Sequence, residues 1–210
     1  MSLSPKSLRR SKIREPESKS ADKSAHSKRS ANYFNRNETR VTAFRCVMHY
    51  QISTLLYCFN ERDKVLLMHR VKEPNRGLWS PCGGKLNTDT GESPYACASR
   101  EASEELGLRV EPSAFHLTGI VSEHGYEGQA HWLMFLFELR PRLKALPPPH
   151  REGEFKFFRR EELDKLALPQ TDREQIWPLF WKHRGGFFAA HCHCHADGRN
   201  EWLIEESVHA

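Results

Sequence analysis

Residues Gly83 to Leu108 read GGKLNTDTGESPYACASREASEELGL, and the rest of the chain is arranged around them. Two glycines and a lysine open the stretch, a polar loop follows, and a helix carries Glu101, Glu104 and Glu105. The helix has clean ends. Ser93 can cap it, Pro94 falls in the first turn where its missing N–H costs nothing, and Gly107 suits a left-handed stop. Tyr95, Ala98, Ala102 and Leu106 form its apolar stripe. The three carboxylates stand at i, i+3 and i+4, so they share one face, off that stripe and toward the loop. Like charges at that spacing destabilise a helix by roughly 0.2–0.5 kcal/mol per pair. A solvated acidic face is the ordinary way to tolerate them. The preceding loop, rich in backbone donors, favours a bound cation instead.

Hydrolysis of a phosphoanhydride needs cations to neutralise phosphate charge, donors to orient the phosphates, and a base or metal to activate water. Mg²⁺ takes oxygen ligands, commonly a few carboxylates completed by substrate phosphate. Glu101, Glu104 and Glu105 offer such ligands from one rigid face. Gly83 and Gly84 let backbone approach closely, and Lys85 brings a mobile positive charge toward phosphate. Arg100 and Glu92 read as an ion pair tying loop to helix.

Working outward, Arg45 to Tyr50 and Ile52 to Phe59 are rich in β-branched, aromatic and apolar residues. The polar turn Asn60–Asp63 and the run Lys64 to Arg70 follow, which predicts a hairpin with a buried second strand. Phe115 to Glu123 and His131 to Leu139 predict two more strands, the latter apolar enough to be covered on both faces. Phe155 to Phe158 predicts another strand, and Arg160 to Leu166 a short helix. A further helix is expected from about Asp172 to His183, with Thr171 and Glu174 as a capping box and Pro178 kinking it. Near the C-terminus, HCHCHADGRNEWLI alternates histidine and cysteine around an Asp197–Gly198 turn. A metal site at His191, His193, His195, Cys192 and Cys194 is one reading. The favoured one is a hairpin with an imidazole-rich face.

The charge is unevenly spread. Residues 1–40 hold 11 Lys/Arg and 4 Asp/Glu, a net of +7, whereas the other 170 residues hold 21 and 23, a net of −2. The first 40 residues are rich in Ser, Lys and Arg and poor in large apolar side chains, so they read as a disordered, solvated tail. A basic arm touching nucleic acid is the sharper alternative; a transit peptide is disfavoured by the acidic residues. Residues 41–210 form the folded domain. No apolar run approaches membrane-spanning length, and four of the six cysteines are widely spaced. The expectation is a cytoplasmic protein with reduced thiols that makes no membrane contact.

From Glu92 to Leu108 the stretch resembles the Nudix box, G-x5-E-x7-R-E-U-x-E-E-x-G-U with U a bulky apolar residue. Glu92, Arg100-Glu101, Glu104-Glu105, Gly107 and Leu108 fall in place; Ala102 is smaller than usual. Seven residues rather than five separate Gly84 from Glu92, so the loop carries a two-residue insertion where departures in metal geometry are expected. The resemblance implies an α/β/α sandwich with a mixed sheet and hydrolysis of a nucleoside diphosphate linked to another group. It implies Mg²⁺ or Mn²⁺ held by Glu101, Glu104 and Glu105, with the Gly83 carbonyl as an added ligand. One box glutamate, or a residue elsewhere, is the base. A further carboxylate arrives before a late strand, with Glu152 the first candidate and Glu154 the second.

Beyond the box, Ile52 to Val208 looks most like the MutT-type 8-oxo-dGTP diphosphatases, which implies release of a nucleoside monophosphate and pyrophosphate. Arg70 occupies the place of a basic residue facing the nucleotide, Asp172 that of an acid reading the purine edge, and Ser80 a site where human-type members carry asparagine. Trp79 and Trp177 are core residues or base-stacking platforms. The alternatives are hydrolysis of RNA 5′ ends or of dinucleotides and nucleotide sugars, and a non-catalytic nucleotide sensor. Oligomeric state is left open.

Overall fold

The computed structural model describes residues 49–128 and 130–210. The expected basic tail over residues 1–40 and the first part of the expected strand from Arg45 lie outside the described residues. The elements in chain order are β1 (Tyr50–Tyr57), β2 (Val65–Arg70), β3 (Trp79–Ser80), α1 (Pro94–Leu106), β4 (Phe115–Tyr126), β5 (Ala130–Leu139), β6 (Gly153–Phe158), α2 (Trp177–Lys182), β7 (Phe187–Cys194) and β8 (Asn200–Val208). They form a five-stranded mixed sheet, β1-β5-β4-β7-β8, and a three-stranded sheet, β3-β2-β6. The β1–β5 and β4–β7 pairs are parallel, the rest antiparallel.

Strand alternation builds two cores. Leu56, Cys58, Leu66, Phe137 and Leu139 pack on Ala98, Ala102 and Leu106 of α1. Their neighbours Tyr57, Phe59, Val65, Leu67 and Leu136 point the other way, onto Ile176, Trp177, Leu179 and Phe180. This is the α/β/α sandwich, with the box helix on one side and α2 on the other. Tyr57 and Phe180 stack at 4.0 Å between ring centroids. Each such side chain contributes about 1.5–3 kcal/mol by leaving water. The predicted two-sided burial of the HWLMFLFEL strand holds, with β5 lying between β1 and β4.

The predicted hairpin at Asn60–Asp63 is half right. The turn forms, with the Asn60 side chain accepting from the Arg62 and Lys64 amides at 3.0 Å. Past a single bridge between Phe59 and Val65 the two strands part into different sheets. The cause is the glycine loop. One edge of β1 is taken by β5, and the other bonds the loop through Leu56 N to Cys82 O (2.7 Å), Thr54 N to Gly84 O (2.9 Å) and Leu86 N to Ile52 O (2.9 Å). No edge is left for β2.

The segment from Asp172 also departs from expectation. The Thr171–Glu174 capping box is absent, because Arg173 N already bonds Pro169 O at 3.0 Å and Thr171 lies inside the helical turn. Asp172–Ile176 is a π turn, and Pro178 sits in the first turn of α2. The wider turn accommodates the N–H that Pro178 lacks, so the helix bulges where a kink was expected. Arg160–Lys165 is a 3₁₀ helix, and the C-terminal hairpin forms as β7–β8 with Gly198 in the left-handed region. Among the described residues no helix is long and apolar enough to cross a membrane.

Candidate active site

The box helix begins and ends as its sequence requires. Ser93 Oγ accepts from Ala96 N at 3.2 Å, and Gly107 turns left-handed so that Leu108 N reaches Ala102 O at 3.0 Å. The helix thereby fixes its acidic face against the glycine loop. Gly83 N donates to Glu105 Oε2 at 2.8 Å. A Cβ on Gly84 would lie 2.2 Å from Glu101 Oε1, so only glycine lets loop and carboxylate meet this closely. The carbonyls of Cys82 and Gly84 are bonded to β1, and the Gly83 carbonyl between them is not.

Arg100 binds Glu92 through Nε and Nη2 at 2.8 and 3.0 Å, the Lys85 carbonyl at 3.1 Å, and also Glu101 and Glu104. Glu92 in turn accepts from Asn87 N at 2.8 Å. The expected loop-to-helix tie is therefore present, and it holds the Glu92 carboxyl well below its usual range. The two-residue insertion closes on itself. Thr88–Thr90 makes a 3₁₀ turn, Gly91 is left-handed, and Glu92 N returns to Asn87 O at 3.1 Å. The extra residues are exposed and lie outside the lining of the cavity below.

A cavity of about 750 Å³ opens beside this face, within the range that takes a nucleotide-sized ligand. Glu101, Glu104, Glu105, Gly83, Gly84, Lys85, Arg70, Ser80, Glu152 and Asp172 all line it, so the fold gathers residues far apart in the chain. Glu152 joins it from the turn before β6 and meets Arg70 Nη2 at 3.5 Å. The second candidate, Glu154, instead sits at an 80 % exposed position against His69. Trp177 is buried between Tyr57 and Phe180, and Trp79 packs edge-on against Phe158; both belong to the core rather than to the cavity. Trp132 lines the cavity in their place, with Lys85 Nζ 5.4 Å from its ring centroid.

Burial drives the Glu105 carboxyl up to about 7, with Glu101 and Glu152 adding repulsion and the Gly83 amide opposing them. Burial also raises Glu101, against the pull of Arg100. Carboxylates crowded this way fit a divalent cation, and an all-oxygen donor set suits Mg²⁺ or Mn²⁺. Among the described residues no group of three or more His, Cys, Asp or Glu side chains already stands close enough to hold a metal ion. In the C-terminal hairpin, His191 bonds Ser122, His193 and His195 stack, and Cys192 is buried; this is the imidazole-faced hairpin.

Sequence reading missed Glu123. It lies two residues beyond Val121 on the inward face of β4, 3 % exposed, and that register is the signal that could have found it. Burial pushes its carboxyl up to about 7, eased by Thr171. A raised carboxyl stabilises the fold fully below pH 4.5 and loses that contribution as pH rises to 7. At about 1.4 kcal/mol per tenfold in proton affinity, Glu123 destabilises the metal-free protein by roughly 3 kcal/mol at pH 8 relative to pH 4. Thermal melts of Glu123→Gln should therefore show a smaller fall in Tm between pH 5 and pH 8 than wild type; an identical fall would refute this.

Comparison with known proteins agrees with the geometry. The NUDIX domain family matches residues 49–180. A human 8-oxo-dGDP phosphatase is 34% identical over 82 residues, which is 39% of this chain and 23% of that protein, so the chain spans about a quarter of that relative's length. A MutT protein from Bacillus halodurans is 25% identical with a TM-score of 0.57, over 74% of this chain and 97% of that one. A MutT protein from Methanosarcina mazei shares the fold at 23% identity and a TM-score of 0.55, over 65% of this chain and 97% of that one. With its box helix, glycine loop and sandwich in place, the chain belongs to the NUDIX domain family and has the MutT-like fold.

Proposed function

We propose that this chain is a divalent-metal-dependent Nudix pyrophosphohydrolase acting on an oxidised purine nucleoside triphosphate of the 8-oxo-dGTP type. The products are a nucleoside monophosphate and pyrophosphate. One observation carries the reading: a single cavity joins the carboxylate face of α1 to a second, buried acidic group at Asp172 and Glu123. The first suits phosphates with metal, the second a donor-rich base. The MutT fold and the partial match to a human 8-oxo-dGDP phosphatase point the same way.

In this reading Glu101, Glu104 and Glu105 would hold Mg²⁺, and the Gly83 carbonyl and Glu152 would complete the protein's share. The ion supplies charge neutralisation at the phosphates and a lowered pKa for bound water. Lys85 adds a flexible positive charge at the cavity wall, and Arg70, held by the Pro74 carbonyl at 2.9 Å, adds a fixed one. Water attacks a phosphorus of the anhydride, its proton passes to a carboxylate of the α1 face, and the bridging P–O bond breaks. Arg100 keeps that face assembled rather than reacting. Ser80 and Asp172 line the same cavity and would face the nucleoside.

A hydrolysis panel with Mg²⁺ tests this. It should contain 8-oxo-dGTP, 8-oxo-dGDP, the normal nucleoside triphosphates, a nucleotide sugar, a dinucleoside polyphosphate and 5′-triphosphorylated RNA. The expected result is metal-dependent pyrophosphate release, fastest with 8-oxo-dGTP. Fastest turnover of RNA or a nucleotide sugar reassigns the substrate, and no turnover of anything with Mg²⁺ or Mn²⁺ overturns the enzymatic reading.

A further inference from the structure

The five-stranded sheet ends in β8, and among the described residues no strand or bridge covers the outer edge of β8. The hairpin decides which groups line that edge. His195 N bonds the Arg199 carbonyl at 2.9 Å, and the ladder continues with His193 opposite Glu201 and His191 opposite Leu203. In an antiparallel ladder every second pair exchanges its backbone bonds, so Arg199, Glu201 and Leu203 face β7. Asn200, Trp202 and Ile204 therefore turn their N–H and C=O groups outward. Past Ile204 a register shift changes the outward set. The strand is nine residues long, carries no proline, and exposes Leu203, Ile204 and Val208. An open edge of this kind is a template for another strand. Its charges are Glu201, Glu205 and Glu206, with Arg199 just ahead of them. Glutamates opposite one another repel, so they forbid most self-pairings of the edge.

We propose that β8 is a dimer interface, pairing antiparallel with β8 of a second copy about a two-fold axis at Trp202. The two five-stranded sheets then continue into one another. This alignment follows from the outward groups. With the axis at Trp202, Asn200 bonds the partner subunit's Ile204, Trp202 the partner subunit's Trp202, and Ile204 the partner subunit's Asn200, so all three outward residues are used. An axis at Asn200 runs into the Asp197–Gly198 turn, and one at Ile204 runs past the register shift. Charge selects the same alignment. An axis at Glu201 sets that glutamate against its own copy, and one at Leu203 sets Glu201 against the partner subunit's Glu205. The axis at Trp202 instead places Glu201 opposite the partner subunit's Leu203 and Arg199 opposite the partner subunit's Glu205, once on each side of the axis. Arg199 is available for this. Its side chain is 67 % exposed, and its pairs with Asp197 at 2.8 Å and Glu201 at 3.7 Å are exposed ones that hold it weakly. A contact made by one strand edge is small, so the dimer is a weak one, with Kd in the micromolar range.

Sedimentation velocity of the full chain from about 1 to 200 µM tests this, with a thermal melt of each variant as a check on folding. Wild type should pass reversibly from monomer to dimer across that range. Ile204→Pro removes an outward N–H and no bond to β7, so Kd should rise at least about tenfold with Tm close to wild type. Arg199→Glu, beside the exposed turn, sets glutamate against the partner subunit's Glu205 and should raise Kd at least about fivefold. Adding Glu205→Arg restores opposite charges in reversed order and should return Kd to within about threefold of wild type. A wild-type chain that stays monomeric at every concentration overturns the proposal, whatever other strand the edge accepts. So does a dimer that Ile204→Pro leaves unchanged, because the contact then lies elsewhere. If Ile204→Pro melts early, the charge reversal decides alone: a double variant no tighter than Arg199→Glu overturns the pairing.

Discussion

Glutamine in place of Glu104 is expected to lower kcat for nucleotide hydrolysis by roughly 10²–10⁴-fold while leaving the fold intact. The three box glutamates line one cavity but differ in what else they do. Glu105 is buried and anchors the Gly83 amide, and Glu101 is buried under Gly84. Substituting either one disturbs packing as well as chemistry. Glu104 has a side chain 58 % exposed, with Arg100 as its partner at 3.2 Å. An exposed pair of this kind contributes about 0–1 kcal/mol, so Tm should move by no more than about 3 °C. Glutamine keeps the size and one carbonyl oxygen but loses the charge that a divalent cation needs. The half-saturating Mg²⁺ concentration should rise along with the loss in kcat. Activity within threefold of wild type at saturating Mg²⁺ would remove Glu104 from the site.

Alanine at the two loop glycines separates folding from chemistry. At Gly83 an added Cβ would lie 2.1 Å from the Thr54 carbonyl oxygen, and the residue has φ +136°. Thr54 belongs to β1, which is held along its other edge by β5, so neither backbone can yield. Strain and overpacking together should cost about 3–5 kcal/mol, read from the denaturant midpoint. At Gly84 the obstacle is the Glu101 carboxylate, the mobile end of a side chain. Gly84→Ala should turn that carboxylate aside, lowering kcat at least about tenfold with a stability loss of about 1–2 kcal/mol. The reverse order of stability losses, or a wild-type midpoint for Gly83→Ala, would show that the loop is not clamped in this way.

What the sequence determined by itself is local. Caps, glycines and spacing place α1 and its three carboxylates, and strand alternation predicts β4 to β8, because these depend on neighbours a few residues apart. The Arg100–Glu92 tie is legible for the same reason. What tertiary structure decided is pairing and convergence. Competition for the edges of β1 sent β2 into a second sheet, and an earlier helix start removed the Thr171 cap. The choice of Glu152 over Glu154 and of Trp132 over Trp79 turned on which side of a strand or turn meets the cavity. Glu123 is the clearest case. It reads as one more acid in a polar stretch, and becomes a cavity residue only because β4 lies beneath the π turn that carries Asp172, over which desolvation by the folded core raises both carboxyls.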